Sequence, residues 1–246
     1  MTGRRNGAHR LAQVRIWIAE HAAGLGMPIT VEMLCETAVL RLGVSGATLT
    51  VDAAQGWQDT RYSTGLLGAR LAELQVTVGE GPCVDARQEG GPVLVADLDT
   101  PASQRRWPLF GPLAVEAGAG ALFALPLCVG AIRIGVLALH QVEAGQLEPA
   151  TLTDSLAFSV VCLDLLLDEQ LALPVADGGW APGLPLHNVA LHQATGMIAA
   201  QLDVAMDVAF SRLRARAFAE ARPLAELAAD VVARRLRFDP ADGQAS

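Results

Sequence analysis

A segment of 15 residues, 173–187, contains three prolines and three glycines and divides the 246-residue chain into two dissimilar parts. Clusters of proline and glycine interrupt regular structure, so this segment is predicted to be a linker. Apolar residues before it follow both helical and strand-like spacing, whereas those after it follow helical spacing. We therefore expect two domains, 10–172 and 188–240, which the length of the chain allows.

The first domain is predicted to begin with two helices and to continue with strands. The helices are expected over 10–23 and, with Thr30 as N-cap, over 31–42. Five shorter elements are predicted after them: two strands (47–53 and 58–63), a helix (66–74), a strand (93–95) and a helix (107–117). The strongest strand patterns are 120–127 and 131–141, which a tight turn at Val129-Gly130 joins into a hairpin.

A long helix predicted over 152–171 closes this domain, with Thr151 and Asp154 spaced as in a capping box. Its apolar residues lie on two faces, and one of them can cover the sheet. The other face needs either the first helix or a second subunit, so a homodimer is the economical hypothesis. The predicted fold class is α+β, a mainly antiparallel sheet flanked by helices, followed by a small all-α domain of three helices.

Charge is distributed unevenly along the chain. The 26 acidic residues exceed the 18 basic ones, all of which are arginine, and the whole excess lies in residues 1–187. Residues 188–246 contain seven arginines and seven acids. The composition excludes a protein that binds nucleic acid through overall positive charge, but it allows a local arginine surface.

Cysteine spacing and hydropathy indicate a cytoplasmic protein. The four cysteines are far apart and include no CxxC pair, which is typical of a reducing compartment, and no metal-ligand spacing is present. The most apolar uncharged run, 117–132, is 16 residues long and contains Pro126, so no membrane span is predicted. GxSxG, HExxH and P-loop motifs are also missing, and an enzyme is not expected.

Two resemblances to known families can be stated. The motifs GEGPCVDA (79–86), GGPVLV (90–95) and ALPL (124–127) resemble a GAF domain of the type found in actinobacterial regulators. Residues 188–238 resemble an ANTAR domain, an RNA-binding antitermination module. The matching positions lie in its three helices: Ala194 and Gly196, then Ala209, Leu213, Arg214 and Ala217, then Leu224, Leu227, Ala228, Val231 and Val232.

The ANTAR resemblance implies a regulator that binds tandem RNA stem-loops and prevents transcription termination. Two loops imply two tails, in agreement with a homodimer. Two positions depart from the family pattern, Thr195 where many members have a basic residue and Ala205 in place of an N-cap hydroxyl. No receiver-like acidic pocket is recognisable, so a phosphorylation switch is not expected.

Small residues and arginines are the candidate RNA-binding groups of the tail. Small side chains let nucleotides approach closely, and guanidinium planes can stack on unpaired bases. Gly196 costs helix stability, so close approach by RNA or by another helix is expected there. The proposed RNA-binding residues are Ala194, Gly196, Arg212, Arg214, Arg216 and Ala217.

The sensor domain offers one candidate signalling residue. Cys83 follows Pro82 at a predicted helix start, where the helix dipole lowers a thiol pKa. A redox role competes with the reading of Cys83 as a buried structural thiol. No cofactor is implied and the GAF ligand is not specified. The alternative function is a small-molecule or redox sensor whose C-terminal helices serve dimerisation or protein interaction.

Overall fold

The computed structural model describes residues 2–52, 58–172 and 189–239, so the predicted linker at 173–187 lies outside the described residues. Within these ranges the chain forms five strands and ten helices. In order they are α1 (Thr2–Leu25), α2 (Val31–Leu42), β1 (Gly46–Asp52), β2 (Gln58–Ser63), α3 (Leu66–Val78), α4 (Pro82–Glu89), β3 (Val93–Val95), α5 (Pro101–Arg106), α6 (Phe110–Glu116), β4 (Ala121–Val129), β5 (Ile132–Gln141), α7 (Pro149–Ala172), α8 (Val189–Leu202), α9 (Met206–Ala219) and α10 (Leu224–Val232).

The five strands form one sheet in the order β2-β1-β5-β4-β3, and every neighbouring pair is antiparallel. Successive residues of a strand point to opposite faces. Leu137 and Leu139 of β5 therefore pack with α1, α2 and α7, whereas Val136 and Ala138 pack with α3, α4 and α6. The sheet is covered on both faces, which explains the nearly continuous apolar runs of β4 and β5.

Helix α7 is held by its neighbours through apolar and charged contacts. Phe158 is fully buried and stacks on Trp17 of α1, with ring centroids 6.3 Å apart. Arg10 and Arg15 of α1 pair with Asp154 and Asp164 of α7 at 2.5 and 2.6 Å. The first helix thus packs along α7 beside Phe158, whereas Leu156 and Val160 of the other apolar face are 39% and 43% exposed, so the partner of that face stays a prediction.

The α7 start and the region around Trp107 differ from the sequence-based expectation. Because α7 begins at Pro149, Thr151 lies inside the first turn, and the predicted capping box is wrong. The helix predicted over 107–117 is present as the shorter α6 (Phe110–Glu116), and a separate helix that was not predicted, α5 (Pro101–Arg106), ends just before Trp107. Proline disfavours helical conformation in the residue before it, and Trp107, before Pro108, has φ −131° and ψ 75°.

One segment of α7, residues 149–169, is long and apolar enough to cross a membrane by length and composition. Core helices of water-soluble domains meet the same criterion. The buried side chains of this helix pack against the sheet and against α1 and α2. We therefore describe α7 as a core helix of the first domain.

The C-terminal helices α8, α9 and α10 form a three-helix bundle with its own core, as the sequence predicted. Leu191, Ile198, Leu213, Leu227 and Val231 are among its buried residues. Ala205 precedes α9 and makes no side-chain capping hydrogen bond, which agrees with the expectation of a weak helix start.

Candidate functional site

The bundle packs against the first domain mainly through α3. The backbone N–H of Leu224, at the start of α10, donates to Glu73 Oε1 at 3.0 Å. Arg214 of α9 donates through Nε to the carbonyl oxygen of Thr77, also at 3.0 Å. Glu73 and Thr77 are four residues apart and therefore lie on one face of α3. That face is the docking surface for the tail.

The environment of Arg214 is polar on one side and aromatic on the other. Its guanidinium lies against the C-terminal end of α3, where free helix carbonyls favour a cation. The guanidinium carbon is 5.8 Å from the centre of the Phe210 ring. Burial lowers the pKa of Arg214 from its usual value. No carboxylate among the described residues forms an ion pair with it, so backbone and ring are its partners here.

Gly79 makes room for this arginine. It ends α3 in the left-handed conformation, with φ 76°, and donates to the carbonyl oxygen of Gln75. A Cβ atom at this position would overlap the guanidinium of Arg214. The positive φ at the helix terminus favours a glycine, and the absence of a Cβ atom also leaves space for the guanidinium group in this position. The sequence-based helix ended at residue 74, five residues before Gly79, so neither role of this glycine was predicted.

The arginines predicted to bind RNA have three different environments. Arg212 is exposed on α9. Arg216 is partly exposed, donates to Glu220 at 2.7 Å and stacks on the ring of Phe238 at 5.3 Å. Arg214 faces the first domain instead of solvent. The structure therefore does not bring the three guanidinium groups together on one surface.

The small residues predicted to contact RNA are also divided. Ala194 and Ala217 are 0% and 1% exposed and lie in the core of the bundle, and their part in RNA binding stays a prediction. Their size sets how closely the three helices pack. Gly196 differs, because a Cβ atom there would meet nothing within 4 Å. Packing of a described helix does not explain this glycine, and the surface beside it is open.

The inner face of α3 borders a small cavity above the sheet. Thr48, Thr50, Gln75, Cys83 and His140 line it, and its volume of about 10 Å³ is close to the minimum for one water molecule. Gln75 Oε1 accepts from the N–H of Cys83 at 2.7 Å, and burial lowers the pKa of His140. Neither Gln75 nor His140 was singled out from the sequence, since each is an isolated polar residue in an apolar repeat.

Cys83 does not have the electrostatics of a reactive thiol. It follows Pro82 at the start of α4, as predicted, but it is only 3% exposed. Burial raises its pKa to about 12, although a hydrogen bond from Gln75 acts in the opposite direction. Desolvation outweighs the helix terminus, so the expected low pKa is wrong. The description as a buried structural thiol agrees with this geometry.

Metal binding finds no support in the side-chain arrangement of the described ranges. There, no three His, Cys, Asp or Glu side chains are grouped so that they could hold a metal ion. The four cysteines are free thiols, and three of them are buried.

Comparison with known proteins identifies the fold of the first domain. Neither a family model nor a curated protein sequence matches the chain. Among solved structures it is similar to the GAF domain of a phosphoenolpyruvate-protein phosphotransferase from Coxiella burnetii, with 14% identity over 65% of this chain and 96% of that chain, and a TM-score of 0.50. The corresponding GAF domain from Acinetobacter gives 10% identity, 68% and 98% coverage, and a TM-score of 0.51.

The first domain has a GAF fold. The matches extend over about two thirds of the chain and over nearly all of each GAF domain. They confirm the GAF resemblance at the level of fold, together with the α+β class. At these identities the likeness concerns architecture alone, and the ANTAR character of the tail stays a prediction.

We expect Gly79→Ala to loosen the tail, because the new Cβ atom forces Arg214 away from Thr77. Loss of one hydrogen bond from a charged donor costs about 1.5 kcal/mol, which corresponds to roughly a tenfold larger undocked population. Hydrogen exchange followed by mass spectrometry should show faster exchange in α9 and α10. Gly90→Ala is the matched control, because Gly90 also ends a helix with positive φ but faces open space. Equal exchange in both variants would contradict this role of Gly79.

We expect Cys83 to resist alkylation in the folded protein. With a pKa of about 12, only about one Cys83 in ten thousand is a thiolate at pH 8. Iodoacetamide labelling mapped by mass spectrometry should modify the partly exposed Cys128 well before Cys83. Labelling of Cys83 at the rate of Cys128 would restore the redox hypothesis.

Proposed function

We propose that this protein is a cytoplasmic, signal-responsive regulator that binds paired RNA hairpin loops in nascent transcripts and prevents transcription termination. The observation that carries the proposal is the docking of a separate three-helix bundle on a GAF-fold domain through Arg214. This arginine is the one matched to the ANTAR pattern. In the docked conformation it is engaged by protein, as expected for an effector group held back until a signal arrives.

Helix α3 offers a physical route from signal to tail. Gln75 faces the cavity above the sheet, while Glu73 and Thr77 hold the bundle. The cavity is too small for a ligand larger than water, so any molecule that enters must displace Gln75 or His140. In this proposal the entering molecule shifts α3 as a unit through Gln75, which is held to the backbone N–H of Cys83. The contacts with α9 and α10 then change together.

The chemistry of the tail suits structured RNA better than arbitrary nucleic acid. Zero net charge over residues 188–246 gives little non-specific attraction to phosphates. Specific binding then depends on a few guanidinium contacts and on a surface that bases can approach closely. Arg212, Arg216 and the open surface at Gly196 are accessible in the docked state, and Arg214 becomes accessible on undocking. As proposed, the protein is a regulator and not an enzyme, and it needs no cofactor.

A second candidate function is a small-molecule sensor whose C-terminal helices mediate protein interactions. One observation favours it: Arg214 binds α3, so the presence of this arginine can be explained without a contact to RNA. The redox form of this alternative is opposed by the burial of Cys83. Selective retention of RNA separates the two candidates, because the sensor-only function predicts none.

We expect Arg214→Ala to lower hairpin capture and Gly79→Ala to raise it, since both undock the tail but only the latter keeps the arginine. Capture of RNA from the native host by the tagged full chain, followed by sequencing and filter binding of the enriched hairpins, measures both effects. Loss of Arg214 should weaken binding about tenfold or more. Arg105→Ala, an exposed arginine of the sensor domain, controls for charge. A rise in both variants would limit Arg214 to a docking role.

We expect the full chain to be a dimer through the outer face of α7. Leu156 and Val160 lie one turn apart and are 39% and 43% exposed. Changing both to Glu would place two charges in the interface and give a monomer by light scattering at micromolar concentration. Leu66→Glu is the control, because Leu66 is 92% exposed at the start of α3. A wild-type monomer at this concentration would contradict the dimer.

A further inference from the structure

A pocket of about 340 Å³ lies on α9, on the side of the helix turned away from Arg214. Its described lining residues all belong to the tail: Arg212, Ala215, Arg216, Ala219 and Phe238. The first four are spaced by three, one and three residues and therefore form a single stripe along α9. Arg214, which contacts the first domain, is about 200° around the helix from Arg212. The pocket is therefore accessible while the tail is docked.

Phe238 and Arg216 form a fixed aromatic and cationic wall of this pocket. The backbone N–H of Phe238 donates to Gln201 Oε1 at 2.9 Å, and its ring packs in the core of the bundle. The guanidinium carbon of Arg216 lies over that ring, 5.3 Å from its centre, and Nε donates to Glu220 at 2.7 Å. These contacts orient the guanidinium plane, while the side chain of Arg216 stays 32% exposed.

The remaining lining residues are one exposed cation and two exposed methyl groups. Arg212 lies one helical turn from Arg216 on the same side of α9, and no hydrogen bond or ion pair joins it to the described residues. Ala215 and Ala219 are exposed and belong to the same stripe. Because neither has a side chain beyond Cβ, a flat group can approach the helix closely between the two arginines.

We propose that this pocket binds one unpaired purine nucleotide, with its base stacked on Arg216 and its phosphate held by Arg212. Unpaired bases stack on guanidinium planes as they do on aromatic rings, and an arginine already positioned by a ring loses little freedom in doing so. Arg212 is the phosphate partner because its N–H groups face solvent, and guanidinium groups bind phosphate with paired hydrogen bonds. The methyl groups of Ala215 and Ala219 form the apolar floor beneath the base.

The volume of the pocket agrees with a ligand of this size. A cavity of about 150 Å³ is large enough for one benzene ring. About 340 Å³ therefore accommodates the two fused rings of a purine together with part of its sugar. The Cβ atoms of residues four apart on a helix are about 5–6 Å from each other, a separation that one ribose can bridge.

A larger crevice between the tail and the first domain has a different chemistry. It has a volume of about 480 Å³ and is bordered by two carboxylates, Asp59 and Glu73, and one arginine, Arg70. Glu73 pairs with Arg70 at 3.2 Å and accepts from the N–H of Leu224. A phosphate group would be repelled by these acids, whereas two arginines border the pocket on α9.

The nucleotide has two possible sources, an RNA loop or free nucleotide in solution, and the same chemistry recognises both. The RNA source rests on the proposed function, in which the tail binds hairpin loops. The pocket then holds one loop base even in the docked state, and undocking adds the contacts of Arg214. Nucleotide binding should accordingly be unchanged by Gly79→Ala, although hairpin capture rises in that variant.

Alanine methyl NMR of the full chain tests the pocket, because Ala215 and Ala219 report on it directly. The probe is adenosine monophosphate, titrated to about 10 mM, where a site with a Kd of about 1 mM is about nine-tenths filled. We expect saturable ring-current shifts at both methyl groups and none at Ala229, which is exposed on α10 outside the pocket. Adenosine and ribose 5-phosphate should each bind at least about fivefold more weakly, because one lacks the phosphate and the other the base.

Three variants separate the contributions of base and phosphate. Ala215→Leu fills the floor without changing charge and should weaken adenosine monophosphate binding at least about fivefold, whereas Ala229→Leu should not change it. Arg212→Gln should lower the affinity for adenosine monophosphate to that for adenosine and leave adenosine binding unchanged. Arg105→Gln, an exposed arginine outside the pocket, controls for total charge. Thermal unfolding without ligand verifies that each variant is folded.

The proposal is overturned if adenosine monophosphate produces no saturable shift at Ala215 and Ala219, or if it binds Ala215→Leu as tightly as the wild type. Binding equal to that of ribose 5-phosphate would also overturn it, since attraction to phosphate alone would then explain the result.

Hairpin capture by the same variants distinguishes this proposal from the proposed function. Capture should fall in Ala215→Leu and not in Ala229→Leu. Nucleotide binding with the expected variant pattern, but without selective RNA capture, would establish the pocket as a site for free nucleotide and reject the RNA function. Selective capture that Ala215→Leu leaves intact, without nucleotide shifts, would reject the pocket and leave the RNA function standing.

Discussion

A guanidinium group removed from water has to be given polar partners, and the contact of Arg214 with α3 follows from that requirement. Its partners are a carbonyl at the end of a helix and the face of a phenyl ring. Both are weaker than a carboxylate, and burial correspondingly lowers the pKa of the group. The contact is therefore strong enough to orient the bundle but leaves the charge incompletely compensated. A docking contact of this kind can be broken by a modest competing interaction.

The sheet makes such a contact possible by holding α3 in place. Residues of β4 and β5 pack against helices on both faces, so the sheet forms two cores instead of one. Helix α3 belongs to the second core through Leu71 and Leu74, and its other side remains free. Because α3 contributes to a core, apolar contacts orient its docking surface. Because one side is free, the surface is available to the tail.

The sequence was informative where a residue's neighbours in the chain determine its environment. The hairpin at 121–141, the Thr30 N-cap and the three tail helices each arise from local patterns, and the structure contains all of them. The errors concern environments made by distant segments. The pKa of Cys83 depends on burial by α3 and the sheet, which outweighs its position at a helix start. Helical spacing already places Arg214 about 200° around α9 from Arg212, but which of the two faces the first domain depends on where the bundle docks.

Residue spacing within α3 explains how one helix can serve two neighbours. Glu73 and Thr77 are separated by four residues and face the tail, whereas Gln75 lies between them in sequence and about 200° around the helix from either. On the inner side, Gln75 accepts a hydrogen bond from the backbone N–H of Cys83. Little more than half a helical turn therefore separates this inner contact from the outer contacts of Glu73 and Thr77. Rotation or translation of α3 that satisfies a new inner ligand must displace the outer carbonyl of Thr77. The proposed coupling therefore requires no pathway through intervening side chains, since one helix carries both contacts.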